Sequence, residues 1–115
     1  MRIVDCSTMF GVWPRRAVDI SLERLLHLMD RYDVDQACAV SMLGVFYDVE
    51  AGNEEAYLAS RHHRQILPVG TLNFAAYIGW EDEFKRRLEQ GFKVFRFFPS
   101  VQEWSINGLA FRRFV

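Results

Sequence analysis

Residues 3–11 read Ile3-Val4-Asp5-Cys6-Ser7-Thr8-Met9-Phe10-Gly11, a short strand that leads directly into a loop. Along the rest of the chain, strand-like and helix-like stretches alternate, which is the pattern of a parallel α/β fold. We predict four strands, three complete helices and the start of a fourth helix, all within one domain of residues 1–115. This series matches a partial TIM (β/α)8 barrel of about four βα units with parallel strands. A doubly wound four-stranded sheet gives the same series, so both arrangements stay open.

The individual elements follow from periodicity and from capping residues. Ser21 is predicted to cap the first helix, whose apolar stripe recurs at helical spacing as far as Met29. Asn53 is predicted to cap the second helix. The third is predicted over residues 80–90, with Gly91 as its C-terminal stop. The remaining strands are predicted at 35–42, 66–73 and 92–98, and the stretch between 43 and 52 as a loop.

The charge balance argues against several classes of partner. Fourteen basic and fifteen acidic residues give a net charge of -1, so the chain has no strong field for nucleic acid or an anionic membrane. No apolar run reaches the roughly 18 residues that a membrane helix needs, and Asp5 interrupts any signal-peptide core at the N-terminus. Cys6 and Cys38 lie in strand-like runs and are predicted to be buried thiols of a cytoplasmic protein.

The stretch 3–11 resembles the start of the amidohydrolase-related metal-dependent hydrolases, of the amidohydrolase 2 type. There an apolar pair and an Asp precede the motif x-His-x-His-x-Gly, and Ser7 and Met9 stand here at the two histidine positions. Four later stretches resemble the family in the same order: 21–40, then 52–55, 66–73 and 91–99. The resemblance thus covers nearly the whole chain, as the N-terminal half of a family member.

The resemblance implies hydrolysis or decarboxylation of small carboxylate or lactone-like compounds at a bound divalent metal, typically zinc. Serine is a poor ligand and a Met thioether suits soft ions, so we predict no metal at Ser7 and Met9 and no cofactor. The family's downstream histidine and catalytic aspartate have no counterpart here, so enzymatic activity stays open. Two alternatives remain beside a small-molecule enzyme. One is a non-catalytic half-barrel that binds or self-associates, for instance as a homodimer that completes a barrel, and the other is a gene fragment.

Asp5 is the candidate catalytic residue. It alternates with Ser7 and Met9, so all three are expected on the pocket-facing side of the first strand. A carboxylate there could act as a base if burial raised its pKa, or it could simply accept backbone hydrogen bonds. Ser7 is a candidate for substrate binding, although no nucleophile motif surrounds it.

Arg96 and Asn73 are further candidates for substrate binding. Arg96 is a charge in the middle of an apolar strand, so it should either pair with Asp5 across the sheet or bind a substrate anion. Asn73 and Thr71 end the third strand, where they could hydrogen-bond a ligand or cap the following loop.

The histidines do not supply a metal site in this interpretation. His27 falls on the polar face of the first helix. His62 and His63 are adjacent at the end of the second helix, and neighbouring helical side chains diverge by about 100°. We therefore predict no metal ligands in the chain.

Overall fold

A computed structural model of the chain describes residues 1–75 and 78–115. These residues contain one sheet of four parallel strands and five helices. The strands are β1 Val4–Phe10, β2 Gln36–Ser41, β3 Ile66–Gly70 and β4 Val94–Phe95. The helices are α1 Leu22–Arg31, α2 Met42–Phe46, α3 Val49–His62, α4 Trp80–Glu89 and α5 Leu109–Phe114.

The strand order decides between the two arrangements that the sequence left open. The strands are neighbours in chain order, β1-β2-β3-β4, and every described pair is parallel. A doubly wound sheet reverses its strand order and carries helices on both faces. Here the sheet curls into a half-barrel, so the predicted partial βα barrel is confirmed.

Helices α1 and α3 pack on one face of the sheet, which we call the outer face. Ala37 and Ala39 of β2 and Ile66 of β3 lie buried there, against Met29 of α1 and Ala56 of α3. Small side chains on β2 allow the helices to approach the strands closely. Phe95 of β4 packs against the same cluster, and its ring lies 4.9 Å from that of Phe84 on α4. The apolar sides of α1 and α3 thus meet the outer side of the sheet.

The opposite, concave side of the sheet is the inner face. Cys38 and Val40 of β2 and Val69 of β3 are buried there together with Val45 of α2. Met9, Leu67 and Phe98 are partly buried against them. In a closed barrel this face would form the filled interior.

The helix ends confirm some predictions and correct others. Ser21 caps α1, since its Oγ accepts a hydrogen bond from Arg24 N at 3.2 Å. Gly91 follows α4 with φ of +94°, a conformation that favours glycine. The prediction that Asn53 caps the second long helix is wrong. Asp48 caps it instead, with Oδ1 3.0 Å from Ala51 N, so Asn53 lies in its second turn and faces the protein interior.

Two regions depart from the predicted elements. The expected loop after β2 contains α2, whose N-cap is Ser41. β4 is only Val94–Phe95 and not 92–98, because the flanking rings pack elsewhere. Phe92 enters the outer core, and Phe97 joins an aromatic cluster. That cluster centres on Phe74 and also contains Trp80, Trp104, Phe111 and Phe114.

Among the described residues, no helix combines the length and the apolarity that crossing a membrane requires.

Candidate functional site

A buried asparagine fixes the chain where it leaves β3. Asn53 Oδ1 accepts a hydrogen bond from Thr71 N at 2.9 Å, and Asn53 Nδ2 donates to Thr71 O at 3.0 Å. The same Nδ2 donates to Glu83 Oε2 at 2.7 Å. Asn53 is 1% exposed and Thr71 0%. Because the amide satisfies both backbone groups of Thr71, it holds the carboxyl end of β3 in a defined position.

Behind this contact, a buried arginine of α4 ties that helix to α3 and forms an ion pair with a buried glutamate on its own helix. Arg87 Nε lies 2.8 Å from Glu83 Oε2, and Arg87 Nη1 lies 2.6 Å from Glu54 Oε2. Arg87 Nη2 also donates to Glu50 O at 3.1 Å. Burial opposes the charge of Arg87, but the hydrogen bonds to Glu83 and Glu54 outweigh it and raise the pKa of the guanidinium. Arg87 therefore stays charged at any physiological pH.

Two buried polar atoms near the carboxyl ends of β3 and β4 have no hydrogen-bond partner among the described residues. They are Thr71 Oγ1 and Arg96 Nη1, which we call the orphan pair. Arg96 N donates to Gly70 O at 2.9 Å, which places Arg96 beside the end of β3. A buried polar group without a hydrogen bond destabilises the folded chain. A ligand that forms the missing hydrogen bonds removes this penalty, which contributes to its free energy of binding.

If the strand register is continued past Gly70 and Phe95, both residues of the orphan pair fall at inner-face positions. Val69 pairs with Val94, and Val69 belongs to the inner core. Thr71 and Arg96 each follow two residues later, so alternation assigns both to the same face. The Arg96 guanidinium carbon lies 5.0 Å from the centre of the Phe98 ring. The ring supports one face of the guanidinium, which leaves its edge nitrogens for an oxygen acceptor.

Asn73 lies between two clefts at the same end of the sheet. One cleft, of about 440 Å³, is lined also by Tyr47, Trp80 and Glu83. The other, of about 230 Å³, includes Gln102. Asn73 Oδ1 accepts a hydrogen bond from Ala75 N at 2.9 Å, so it caps the loop after β3, one of the two roles predicted for it.

The first strand does not have the predicted regular alternation. Asp5 pairs with Ala37, whereas Thr8 pairs with Ala39 and Met9 with Val40, so β1 has a bulge at Cys6 and Ser7. The expectation that Asp5 and Met9 share a face is therefore wrong, because their partners lie three residues apart on β2.

Asp5 is exposed, and its Oδ1 accepts a hydrogen bond from Ser7 N at 2.9 Å. The pairing of Asp5 with Arg96 that we considered is also absent from the described ion pairs. β1 and β4 are opposite edges of the sheet, with two strands between them. The Asp5 carboxylate thus has the second of the roles predicted for it, the acceptance of a hydrogen bond from the backbone.

Ser7 and Met9, for which the sequence resemblance raised the question of a metal site, do not fit a divalent ion. Ser7 offers an exposed hydroxyl, and the Met9 side chain packs against the apolar inner core. His27 and His62 are exposed, and His63 is the C-cap of α3. Within residues 1–75 and 78–115, no three His, Cys, Asp or Glu side chains are grouped to hold a metal ion. No step through a zinc-type centre follows from this arrangement.

The buried ion pair could have been found from the sequence, whereas the orphan pair depended on tertiary structure. Glu83 and Arg87 are spaced i, i+4 on a predicted helix, which is the spacing of a helical ion pair. Their burial against α3 is not visible in that spacing. The charge of Arg96 in an apolar strand marks it in the sequence, but no sequence pattern predicts which residues lie next to it.

Comparison with models of known protein families, with curated proteins and with solved structures found no match for this chain. These comparisons therefore assign no family to the chain.

Proposed function

We propose that this chain is an amidohydrolase-related half-barrel that lacks the family's metal pair and binds a small carboxylate at the ends of β3 and β4. The observation that carries the proposal is the orphan pair, in which a guanidinium nitrogen and a buried hydroxyl are left without a partner in the described residues. Carboxyl ends of barrel strands are also where sites of this fold class are built.

The chemistry of Arg96 favours a carboxylate over a neutral ligand. A guanidinium presents N–H groups in a rigid planar fork that matches the two oxygens of a carboxylate. Phe98 lies 5.0 Å from its central carbon and restrains the fork. The hydroxyl of Thr71 can donate one further hydrogen bond to the ligand. The carboxylate class also agrees with the compounds that the resemblance implies.

Binding without catalysis is the form of the proposal that the geometry supports best. A hydrolase or decarboxylase needs a base or a metal-bound water close to the bound substrate. Asp5, the candidate base, is exposed on the far edge strand. The ion pair of Glu83 and Arg87 is internally satisfied and faces α3. We therefore assign Arg96 a binding role and no proton-transfer role.

Arg96→Gln is expected to weaken carboxylate binding at least tenfold, because a hydrogen bond to a charged group contributes about 1.5–3 kcal/mol. Benzoate and its neutral counterpart benzamide are suitable probes, titrated while backbone amide shifts are followed by NMR. The wild-type chain should bind benzoate at least about tenfold more tightly than benzamide for the same reason.

Arg24→Gln is the matched control, since Arg24 is an exposed arginine on α1. It should leave benzoate affinity unchanged. Equal losses in Arg24→Gln and Arg96→Gln would show that general charge and not the orphan pair is responsible. Equal affinities for benzoate and benzamide would show that the charge of the carboxylate is not recognised. Either result would contradict the proposal.

The second candidate function is self-association, and the observation that favours it is the pair of open sheet edges. Within the part of the chain that the structure describes, β1 and β4 each have one strand neighbour, and Val4 and Val94 on them are 40% and 43% exposed. Two copies could join β4 of one to β1 of the other, twice, which would close eight strands around a two-fold axis. Exposed apolar edges also favour association in general.

Sedimentation equilibrium is expected to show a dimer under this second candidate, and Val4→Lys should shift it to monomer because the charge would be buried at the junction. Val18→Lys is the control, because Val18 is exposed but lies outside the strands. A monomer at all concentrations, or equal effects of the two lysines, would exclude the closed dimer.

A further inference from the structure

Cys6 and Cys38 occupy opposite positions on the first two strands. Asp5 pairs with Ala37 and Thr8 pairs with Ala39, so Cys6, in the bulge, lies across from Cys38. Neighbouring strands are about 4.8 Å apart, which brings two side chains at such positions within reach of one ion. The sequence predicted two buried thiols. Cys38 is buried, but Cys6 is exposed because it lies on an edge strand.

A third sulfur atom belongs to the same region of the inner face. Met9 pairs with Val40, the next inner-face residue after Cys38 on β2. Its side chain is partly buried against the cluster that contains Cys38 and Val40. The Met side chain has three rotatable bonds, so its thioether can adjust toward a neighbouring ligand.

We propose that Cys6 and Cys38 form a binding site for a soft monovalent metal ion of the Cu(I) type, with Met9 as an auxiliary ligand. Thiolate and thioether ligands select Cu(I), whereas structural zinc requires four nitrogen, sulfur or oxygen donors. On binding, both thiols lose a proton and two Cu–S bonds form, so Cu⁺ and two thiols give a dithiolate complex and two H⁺. No change of oxidation state is involved.

The electrostatics of the site are compatible with a bound cation. The Asp5 carboxylate lies near enough to Cys38 to act on it by charge, and its negative charge attracts a cation to the same place. Cys6 is exposed, so the site is open to solvent from the β1 side.

The test is competition for Cu(I) against the coloured chelator bicinchoninate, in ascorbate and without oxygen. The wild-type chain is expected to withdraw one equivalent of Cu(I). Cys6→Ser and Cys38→Ala should each weaken binding at least about 100-fold, the upper end of the losses caused by outer-shell groups. Met9→Leu should weaken it less, and Ser7→Ala, at the neighbouring bulge position, should have no effect.

Cys6→Ser makes the result decisive, because Cys6 is exposed and its replacement leaves the core intact. Circular dichroism of each variant checks that the chain is folded. A wild-type chain that leaves Cu(I) on the chelator would overturn the proposal. So would a folded Cys6→Ser variant that binds as tightly as wild type, or a preference for Zn(II) over Cu(I).

Discussion

Gly52→Ala is expected to destabilise the chain by at least about 3 kcal/mol, the upper end of ordinary overpacking costs. A Cβ at residue 52 would lie 2.0 Å from Gly44 N and 2.2 Å from Gly44 Cα. These are backbone atoms of α2, so no side-chain rotation relieves the overlap. Helix propensity alone predicts the opposite sign, because alanine is favoured over glycine in a helix by about 1 kcal/mol. Urea denaturation of the purified variant measures the change.

Gly44→Ala provides the matched comparison. Its Cβ would lie 3.3 Å from Gly52 Cα and 3.3 Å from Thr71 Cγ2, a tight contact but not an overlap. We expect a loss of about 1 kcal/mol or less, since small shifts can accommodate it. If both alanine variants are equally stable, α2 and α3 do not cross at the distance described here.

Arg87→Met is expected to cost about 3–5 kcal/mol of unfolding free energy, because it removes the buried charge partner of Glu83 and leaves that carboxylate only the exposed Arg86. Both side chains are almost fully buried, at 2% and 3% exposure. This loss of unfolding free energy should exceed the loss caused by replacing a surface arginine, because the second carboxylate, Glu54, also loses its partner. Chemical denaturation monitored by circular dichroism checks the value.

Arg86→Met is the control on the adjacent residue. The Arg86 side chain is 53% exposed, and its contacts with Glu83 and Glu50 are 3.4 Å and 3.8 Å long. Solvent screens such pairs, so a loss of about 1 kcal/mol at most is expected. The double variant Glu83→Met with Arg87→Met should lose less than the sum of its single changes. Strict additivity would contradict a direct pair.

The local elements of this fold could be predicted from the sequence, because their signals are local. Ser21 and the apolar stripe of α1 give the start and the buried face of one helix. Acidic residues at the start of α4 and Gly91 after its end define another. The alternation of strands and helices also predicted the parallel sheet, which the consecutive strand order confirms.

Features that depend on pairing between distant segments could not be predicted in this way. The bulge at Cys6 and Ser7 appears only when β1 is aligned with β2. β4 is short because the rings of Phe92 and Phe97 pack into separate clusters, although residues 92–98 are uniformly apolar or basic. Asn53 was assigned to a helix end from its residue type, but Asp48 takes that place and frees the amide to hold Thr71.

The candidate site could be predicted only in part, because some of its features are local and others depend on distant segments. Arg96 was conspicuous as a charge within an apolar strand, and Asn73 as a polar residue at a strand end. The proximity of Arg96 to the end of β3 depends on the hydrogen bond from Arg96 N to Gly70 O, which no local pattern encodes. The suggested partner Asp5 was wrong because strand order places it on the opposite edge.

The most direct test of carboxylate binding is NMR observation of the Arg96 side chain during a benzoate titration. Selective assignment of the arginine Nε–Hε resonances separates Arg96 from Arg24, which lies on the exposed surface of α1. We predict that the Arg96 resonance and the Thr71 amide shift together and saturate with one dissociation constant, while Arg24 stays in place. A titration in which Arg96 and Thr71 do not move, or in which all arginines shift alike, would contradict the proposal.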